Sequence, residues 1–195
     1  MKIIGLTGGI GSGKTILAKE FSKNYIQVYN SDERAKFLMN NSKDLKDSLI
    51  KCFGSNTYVD DSLNKTYLSS LIFNDRKSLE LMNSIVHPQV EKDFMGWMKT
   101  KDEKYVIYES ALIFETGSYK RNDFNILVTS DLSVRINRIM NRDKIDKSLA
   151  MLKINNQWKD EKKIPLADYI FVNSTIDENI QTVKKLVTYF NSIYK

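Results

Sequence analysis

Five short apolar stretches alternate with amphipathic helical stretches along the 195 residues. That alternation predicts an α/β fold, a five-stranded parallel sheet flanked by helices on both faces. Two further observations refine it. A glycine-rich loop, Gly8-Gly9-Ile10-Gly11-Ser12-Gly13-Lys14-Thr15, separates the first strand from the first helix. A mostly helical insertion, residues 33–104, interrupts the alternation between the second and third strands.

Lys2 to Thr7 reads as the first buried strand, and Leu17, Ala18 and Phe21 place one face of the following helix against the core. Ile26 to Tyr29 reads as the second strand. It runs out at Asn30-Ser31-Asp32, where Ser31 or Asp32 is a natural cap for a helix through Met39. In the insertion, Leu45, Leu49, Ile50 and Phe53 mark one helix, Leu68, Leu71, Ile72 and Phe73 a second, and Leu79, Met82, Ile85 and Val86 a third. His87-Pro88 is expected to break that run before a helix carrying Val90, Phe94, Trp97 and Met98. Tyr105–Glu109, Phe124–Thr129 and Ala167–Val172 read as the remaining strands. A helix is expected from Asp131 to Arg142. Ile176, Ile180, Val183, Val187, Phe190 and Tyr194 form the apolar stripe of the last one. The expected organisation is a core of residues 1–32, 105–137 and 164–195, the insertion 33–104 as an acceptor-binding region, and a polar lid over 138–163.

Composition bounds the possibilities. A hydrophobic content of 42% and a charged content of 28% are those of a globular chain rather than a disordered one. No stretch approaches the ~18 apolar residues of a membrane span, so the expectation is a cytoplasmic protein with no membrane partner. The net charge of +6 admits a nucleic-acid binder or a basic enzyme that handles polyanionic small molecules. The lysines are dispersed rather than clustered, which favours the second reading and no nucleic acid. The single cysteine, Cys52, rules out an intramolecular disulfide. Its neighbours Leu49, Ile50 and Phe53 suggest a buried apolar role.

The glycine loop fits the phosphate-cradling P-loop pattern G-x-x-x-x-G-K-[ST]. Glycines let the backbone turn tightly and bring its N–H groups to an anion, and the helix that follows adds a favourable dipole. Gly9, Ile10, Gly11, Ser12, Gly13, Lys14, Thr15 and Ile16 are therefore candidate ATP contacts. Lys14 reaches the β/γ-phosphates as a point charge, and the Thr15 hydroxyl is a candidate Mg²⁺ ligand. A motor or transporter ATPase usually ends a strand in a Walker-B aspartate; here Glu109 stands at that place. The Asn-Lys-x-Asp guanine motif of a GTPase is absent. A small-molecule kinase fits better, with Asp32 placed for an acceptor hydroxyl and a cation-rich excursion bearing Arg138, Arg142, Lys159, Lys162 and Lys163 as a lid. Asp32 also reads as a simple helix cap, Glu115 as either pocket wall or structural anchor, and Arg138 with Arg142 as a solvated helix face.

At these residues the chain resembles dephospho-CoA kinases. Thr7 to Thr15 is similar to that family's P-loop. Asn30-Ser31-Asp32 lies where the family has Asp-Ala-Asp, Val86-His87-Pro88 where it has Leu-His-Pro, and Leu112-Ile113-Phe114-Glu115 where it has Leu-Leu-Phe-Glu. Arg138 and Arg142-Asp143 match its lid arginines, Gln157 a lid glutamine, and Ala167-Asp168 with Asn173 its closing strand. The resemblance implies transfer of the ATP γ-phosphate to the ribose 3′-hydroxyl of dephospho-CoA, the last step of coenzyme A synthesis. It implies that Asp32 orients or deprotonates that hydroxyl and, with Thr15, holds Mg²⁺. Arg138 and Arg142 then stabilise the transferring phosphoryl group, Asn173 lies near the adenine, and His87 and Glu115 lie near the acceptor. Three departures stand out. Asn30 replaces an aspartate, and Lys36 and Lys163 replace arginines, which removes bidentate phosphate recognition there. The competing readings are another nucleoside or nucleotide kinase, and a non-catalytic nucleotide- or nucleic-acid-binding module.

Overall fold

The computed structural model describes residues 1–194 apart from the side chains of Phe73 and Asn74, so the expected apolar role of Phe73 lies outside the described residues. The chain forms two compact units, Met1–Asn30 with Asp102–Lys195, and Ser31–Lys101.

In the first unit five strands pair in parallel in the order β2-β5-β1-β6-β7. They are β1 (Lys2–Thr7), β2 (Val28–Asn30), β5 (Tyr105–Glu109), β6 (Phe124–Thr129) and β7 (Tyr169–Val172). Two begin later than their apolar letters suggest. Tyr25, at φ 64, turns the chain before β2. Ahead of β7, the Asp168 N–H donates to the Asn125 carbonyl at 2.9 Å, and its carboxylate rather than a backbone carbonyl accepts the Asn125 N–H at 2.7 Å.

Alternation along the strands sorts the sheet into two faces. Ile4 and Leu6 of β1, Ile107 of β5 and Ile126 and Val128 of β6 are buried with Leu17 and Phe21 of α1 (Lys14–Lys23) and Val183, Leu186 and Phe190 of α9 (Ile176–Ile193). Gly5, on the opposite face of β1, makes room for a polar pair. A Cβ there would collide with the Asn122 amide, which donates to Asn125 Oδ1 at 2.8 Å. The stripe of α9 is rotated from the expected one. Its buried line is Asn179, Val183, Leu186 and Phe190, while Ile176 is 74% exposed. A capping box between Thr175 and Glu178 fixes the helix start there, which leaves Ile176 on the outer side of the first turn.

The expected polar lid is more structured than its composition suggests. The helix α6 (Leu132–Asp143) is followed by α7 (Lys147–Asn155) and the single turn α8 (Asp160–Lys163). Ile136, Ile139 and Ala150 are buried together, with Ile145, Met151, Ile154 and Ile10 of the glycine loop packed against them.

In the second unit α2 (Ser31–Asn41) starts directly after β2, so Ser31 and Asp32 both lie inside its first turn rather than ahead of it. Then come α3 (Lys43–Phe53), a small hairpin of β3 (Tyr58–Val59) and β4 (Ser62–Leu63), α4 (Lys65–Asn74) and α5 (Arg76–Lys99). The hairpin was not anticipated. Its turn residues Asp60 and Asp61 both have positive φ, 47° and 61°, the requirement of a type I′ turn, met here without glycine. Pro88 does not break the chain. Helix α5 runs through it for 24 residues, because Val86, Val90 and Phe94 bury one continuous face on both sides. Cys52 is exposed, contrary to expectation. The inward positions of α3 are Leu45, Leu49 and Phe53, and Cys52 falls to the side of that line, on an open groove with Lys51, Ile85 and Pro88. Among the described residues no helix is long and apolar enough to cross a membrane.

The rotated stripe makes a stability prediction. Phe190, fully buried, should cost about 3–5 kcal/mol on truncation to Ala. Ile176→Ala should stay within about 0.5 kcal/mol. Urea midpoints at constant m-value read both.

Candidate active site

Strand β1 ends at Thr7, and the chain turns through the glycine loop into α1. Gly11 and Gly13 take φ of 79° and 97°, left-handed values that residues with a Cβ rarely adopt. The loop is closed inside by Ser12 N–H donating to the Gly9 carbonyl at 3.0 Å, and at its end by Ile16 N–H donating to the Gly13 carbonyl at 3.0 Å. The start of α1 therefore faces outward from the C-terminal edge of the sheet. Lys14, its first residue, is buried.

The loop's remaining carbonyls are held by side chains from far along the chain. Arg138 Nη1 donates to the carbonyls of Gly11 at 3.2 Å and Ser12 at 3.4 Å. The Asn173 amide donates to the Ser12 carbonyl at 2.6 Å and is itself fixed by Asn179 at 2.8 Å. Asn173, expected near adenine, thus touches the loop backbone. Arg135 Nε donates to the Ile10 carbonyl at 3.0 Å, and the Ile10 N–H donates to Gln157 Oε1 at 2.7 Å. Both backbone groups of Ile10 are engaged by the protein itself.

Glu109 ends β5 beside β1 and β2 and is 2% exposed. Thr15 Oγ1 donates to its Oε1 at 3.2 Å, and the Asn30 amide donates to its Oε2 at 2.6 Å. Asn30 therefore supplies a donor that an aspartate in its place lacks.

Arg142 lies one helical turn beyond Arg138 and does not reach the loop. It is 61% exposed and pairs with Asp143 at 2.7 Å, and Lys153 reaches the same carboxylate at 2.7 Å. Arg142, then burial in the opposite direction, then Lys153 shape the Asp143 carboxyl, which settles at about 2. Glu115 Oε1 accepts from the Trp158 N–H at 3.1 Å and forms an ion pair with the fully buried Lys163 ammonium at 2.8 Å. In the structure it anchors the start and end of the segment around α8. Trp158 also lies under the Lys162 ammonium at 3.6 Å.

In the second unit Asp32 is exposed in the first turn of α2, where the helix dipole favours its charge. Arg34 on the same helix grips Asp93 of α5 through two bonds, of 2.8 and 2.6 Å. His87 on α5 is partly buried. Burial pushes its imidazole below the usual value, and the charge of Asp32 pulls the other way.

The sequence reading passed over Arg135 and Asp160, and weighed Glu109 only as a fair Walker-B substitute. A signal for Arg135 was present: Arg135, Arg138 and Arg142 are spaced i, i+3, i+7, one face of one helix.

A strand, a glycine loop with left-handed turns, and a helix N-terminus carrying a buried Lys and a Thr define the class: a P-loop α/β protein that binds a nucleotide's phosphates. The comparisons narrow it. The family model for dephospho-CoA kinase matches residues 2–178. A dephospho-CoA kinase of Fusobacterium nucleatum is 34% identical over 190 residues, covering 96% of each chain. One from Buchnera aphidicola is 31% identical over 193 residues, covering 98% of this chain and 91% of its own. The chain belongs to the dephospho-CoA kinase family. A Thermus thermophilus crystal structure superposes with a TM-score of 0.83 at 27% identity, each chain covered to 96%. An Acinetobacter baumannii shikimate kinase shares the fold at a TM-score of 0.54 and 12% identity.

Two outcomes follow from the geometry. A Cβ at Gly13 would collide with the Asn173 amide at a strained φ, so Gly13→Ala should weaken ATP binding at least tenfold by calorimetry. For His87 the folded pKa lies below the unfolded 6.5, so the unfolded chain binds the proton more readily. Its contribution is present above 6.5 and is lost as pH falls through the folded value. Melting temperatures from pH 7.5 down to 5 should therefore fall less steeply in His87→Gln than in the parent.

Proposed function

We propose the following division of labour for the reaction of this chain's family, transfer of the ATP γ-phosphate to the 3′-hydroxyl of the dephospho-CoA ribose. The observation that carries it is the P-loop with every carbonyl from Gly9 to Gly13 already engaged by the protein. A trans peptide sets its N–H opposite its C=O. Carbonyls of Ile10, Ser12 and Gly13 tied back into the protein therefore aim the N–H groups of Gly11, Gly13 and Lys14 toward an anion. Lys14 adds a cation for the β/γ-phosphates.

Asp32 acts on the acceptor. Its place two residues beyond the end of β2 and its carboxylate chemistry suit orientation or deprotonation of the 3′-hydroxyl, a contribution of about 10²–10⁴ in rate. His87, held toward its neutral form by burial, suits the acceptor's polar groups better than it suits phosphate. Arg138 stabilises the loop directly. Arg142, exposed and tethered to Asp143, is the cation available to the transferring phosphoryl group. Glu115 anchors the segment around α8 through Trp158 and Lys163.

Magnesium takes hard oxygen ligands and keeps several waters, so a large protein cage is not required. The residues fit: the Thr15 hydroxyl lies 3.2 Å from the Glu109 carboxylate. Thr15 would hold the ion. When bound, the ion would neutralise part of the negative charge of the nucleotide's phosphates. On this reading we place the protein in the cytoplasm, with ATP and dephospho-CoA as its substrates.

A coupled ADP-release assay tests the reading. Dephospho-CoA should raise ADP release well above the ATP-only rate with Mg²⁺ present; no rise refutes it. Asp32→Ala should lose at least about 100-fold in kcat while the Kd for ATP stays within twofold. Retention of most of kcat would remove Asp32 from its role.

A further inference from the structure

We infer that Arg135 is a positioning residue for the phosphate loop, setting the Ile10–Gly11 peptide so that the Gly11 N–H faces the ATP phosphates. The inference rests on the proposed role of the loop as the ATP site.

Three observations converge. Arg135 is buried at 7% exposure although it carries a permanent charge, and a buried charge requires partners. It has two, from different directions: Nε on the Ile10 carbonyl at 3.0 Å, and Nη1 on the Asp160 carboxylate at 3.3 Å. The planar fork of the guanidinium fixes the angle between them, which a lysine cannot reproduce. Both neighbours of Ile10 are shaped to this residue. A Cβ on Gly9 would collide with the Arg135 guanidinium, and one on Gly11 would come within 2.8 Å of the Arg135 carbonyl oxygen. The loop thus lies directly on α6 at Arg135.

The consequence follows from peptide geometry. The Ile10 carbonyl and the Gly11 N–H belong to one planar trans peptide and point in opposite directions. Holding the carbonyl on the buried guanidinium aims the N–H away from α6. Gln157 completes the grip by accepting the Ile10 N–H at 2.7 Å, which stops the preceding peptide from rotating. Asp160 and Gln157 both belong to the segment that follows α7. Arg135 therefore also couples the loop to that segment.

The test is Arg135→Met and Arg135→Lys, compared in nucleotide binding and in steady-state kinetics. The expected result for Arg135→Met is a Kd for MgATP raised at least tenfold, with KM for ATP rising in parallel and KM for dephospho-CoA within twofold of the parent. Arg135→Lys, which keeps the charge but not the fork, should fall between. Amide exchange should show the Ile10 N–H less protected in both. A residue that only stabilises the fold would lower the folded fraction and leave Kd and KM of the folded molecules unchanged; that result overturns the inference. If Arg135→Met does not fold, Asp160→Asn and Gln157→Leu serve instead, each expected to raise the Kd for MgATP at least threefold. Unchanged affinity in both overturns it. Binding of MgATP is read without any acceptor. A parent protein inactive on dephospho-CoA would refute the proposed reaction while this inference stands or falls on the binding constants alone.

Discussion

The active end of the first unit depends on where the glycine loop's carbonyl groups go. A loop that binds phosphate must turn its N–H groups outward, and each peptide then turns a carbonyl inward, where an unmade hydrogen bond is costly. Here each inward carbonyl meets a donor. Gly9 and Gly13 are served locally by Ser12 and Ile16, Gly11 by Arg138, Ser12 by Arg138 and Asn173, and Ile10 by Arg135. Three of these donors come from the far end of the chain, so the anion nest exists only once β6, α6 and β7 have docked beside β1.

The same logic gives the segment after α7 its role. Its charged composition reads as a mobile polar excursion, yet its ends are tied down. Glu115 gathers the Trp158 N–H and the buried Lys163, while Gln157 and Asp160 reach the loop and its supporting arginine. Lys163 in place of an arginine is consistent with this. A fully buried ammonium that meets one carboxylate oxygen needs a point charge rather than a fork. Arg142 remains apart from the loop, 61% exposed and held by the Asp143 carboxylate.

Asn30 alters the chemistry at the edge of the sheet rather than removing it. Its amide donates to Glu109, leaving that carboxylate's other oxygen beside Thr15. An aspartate at the same place would set two carboxylates together and raise the need for a cation between them.

What the sequence by itself determined is the local part: the strand–glycine loop–helix unit, the strand letters of β5 and β6, and the place of Lys14 and Thr15 at the start of α1. Those depend on neighbours within a turn or a strand, where periodicity and glycine placement act directly. The tertiary structure decided the rest. Arg135 meets Ile10 across 125 residues and Gln157 meets it across 147. Helix periodicity puts Arg135 on one face with Arg138 but cannot say which of them ends under the loop. Pro88 lies within an unbroken α5 because the packing of Val86, Val90 and Phe94 outweighs the lost backbone bond. Cys52 faces outward because Leu49 and Phe53 take the inward positions. In each case the deciding free energy comes from contacts between segments distant in sequence, to which local pattern is blind.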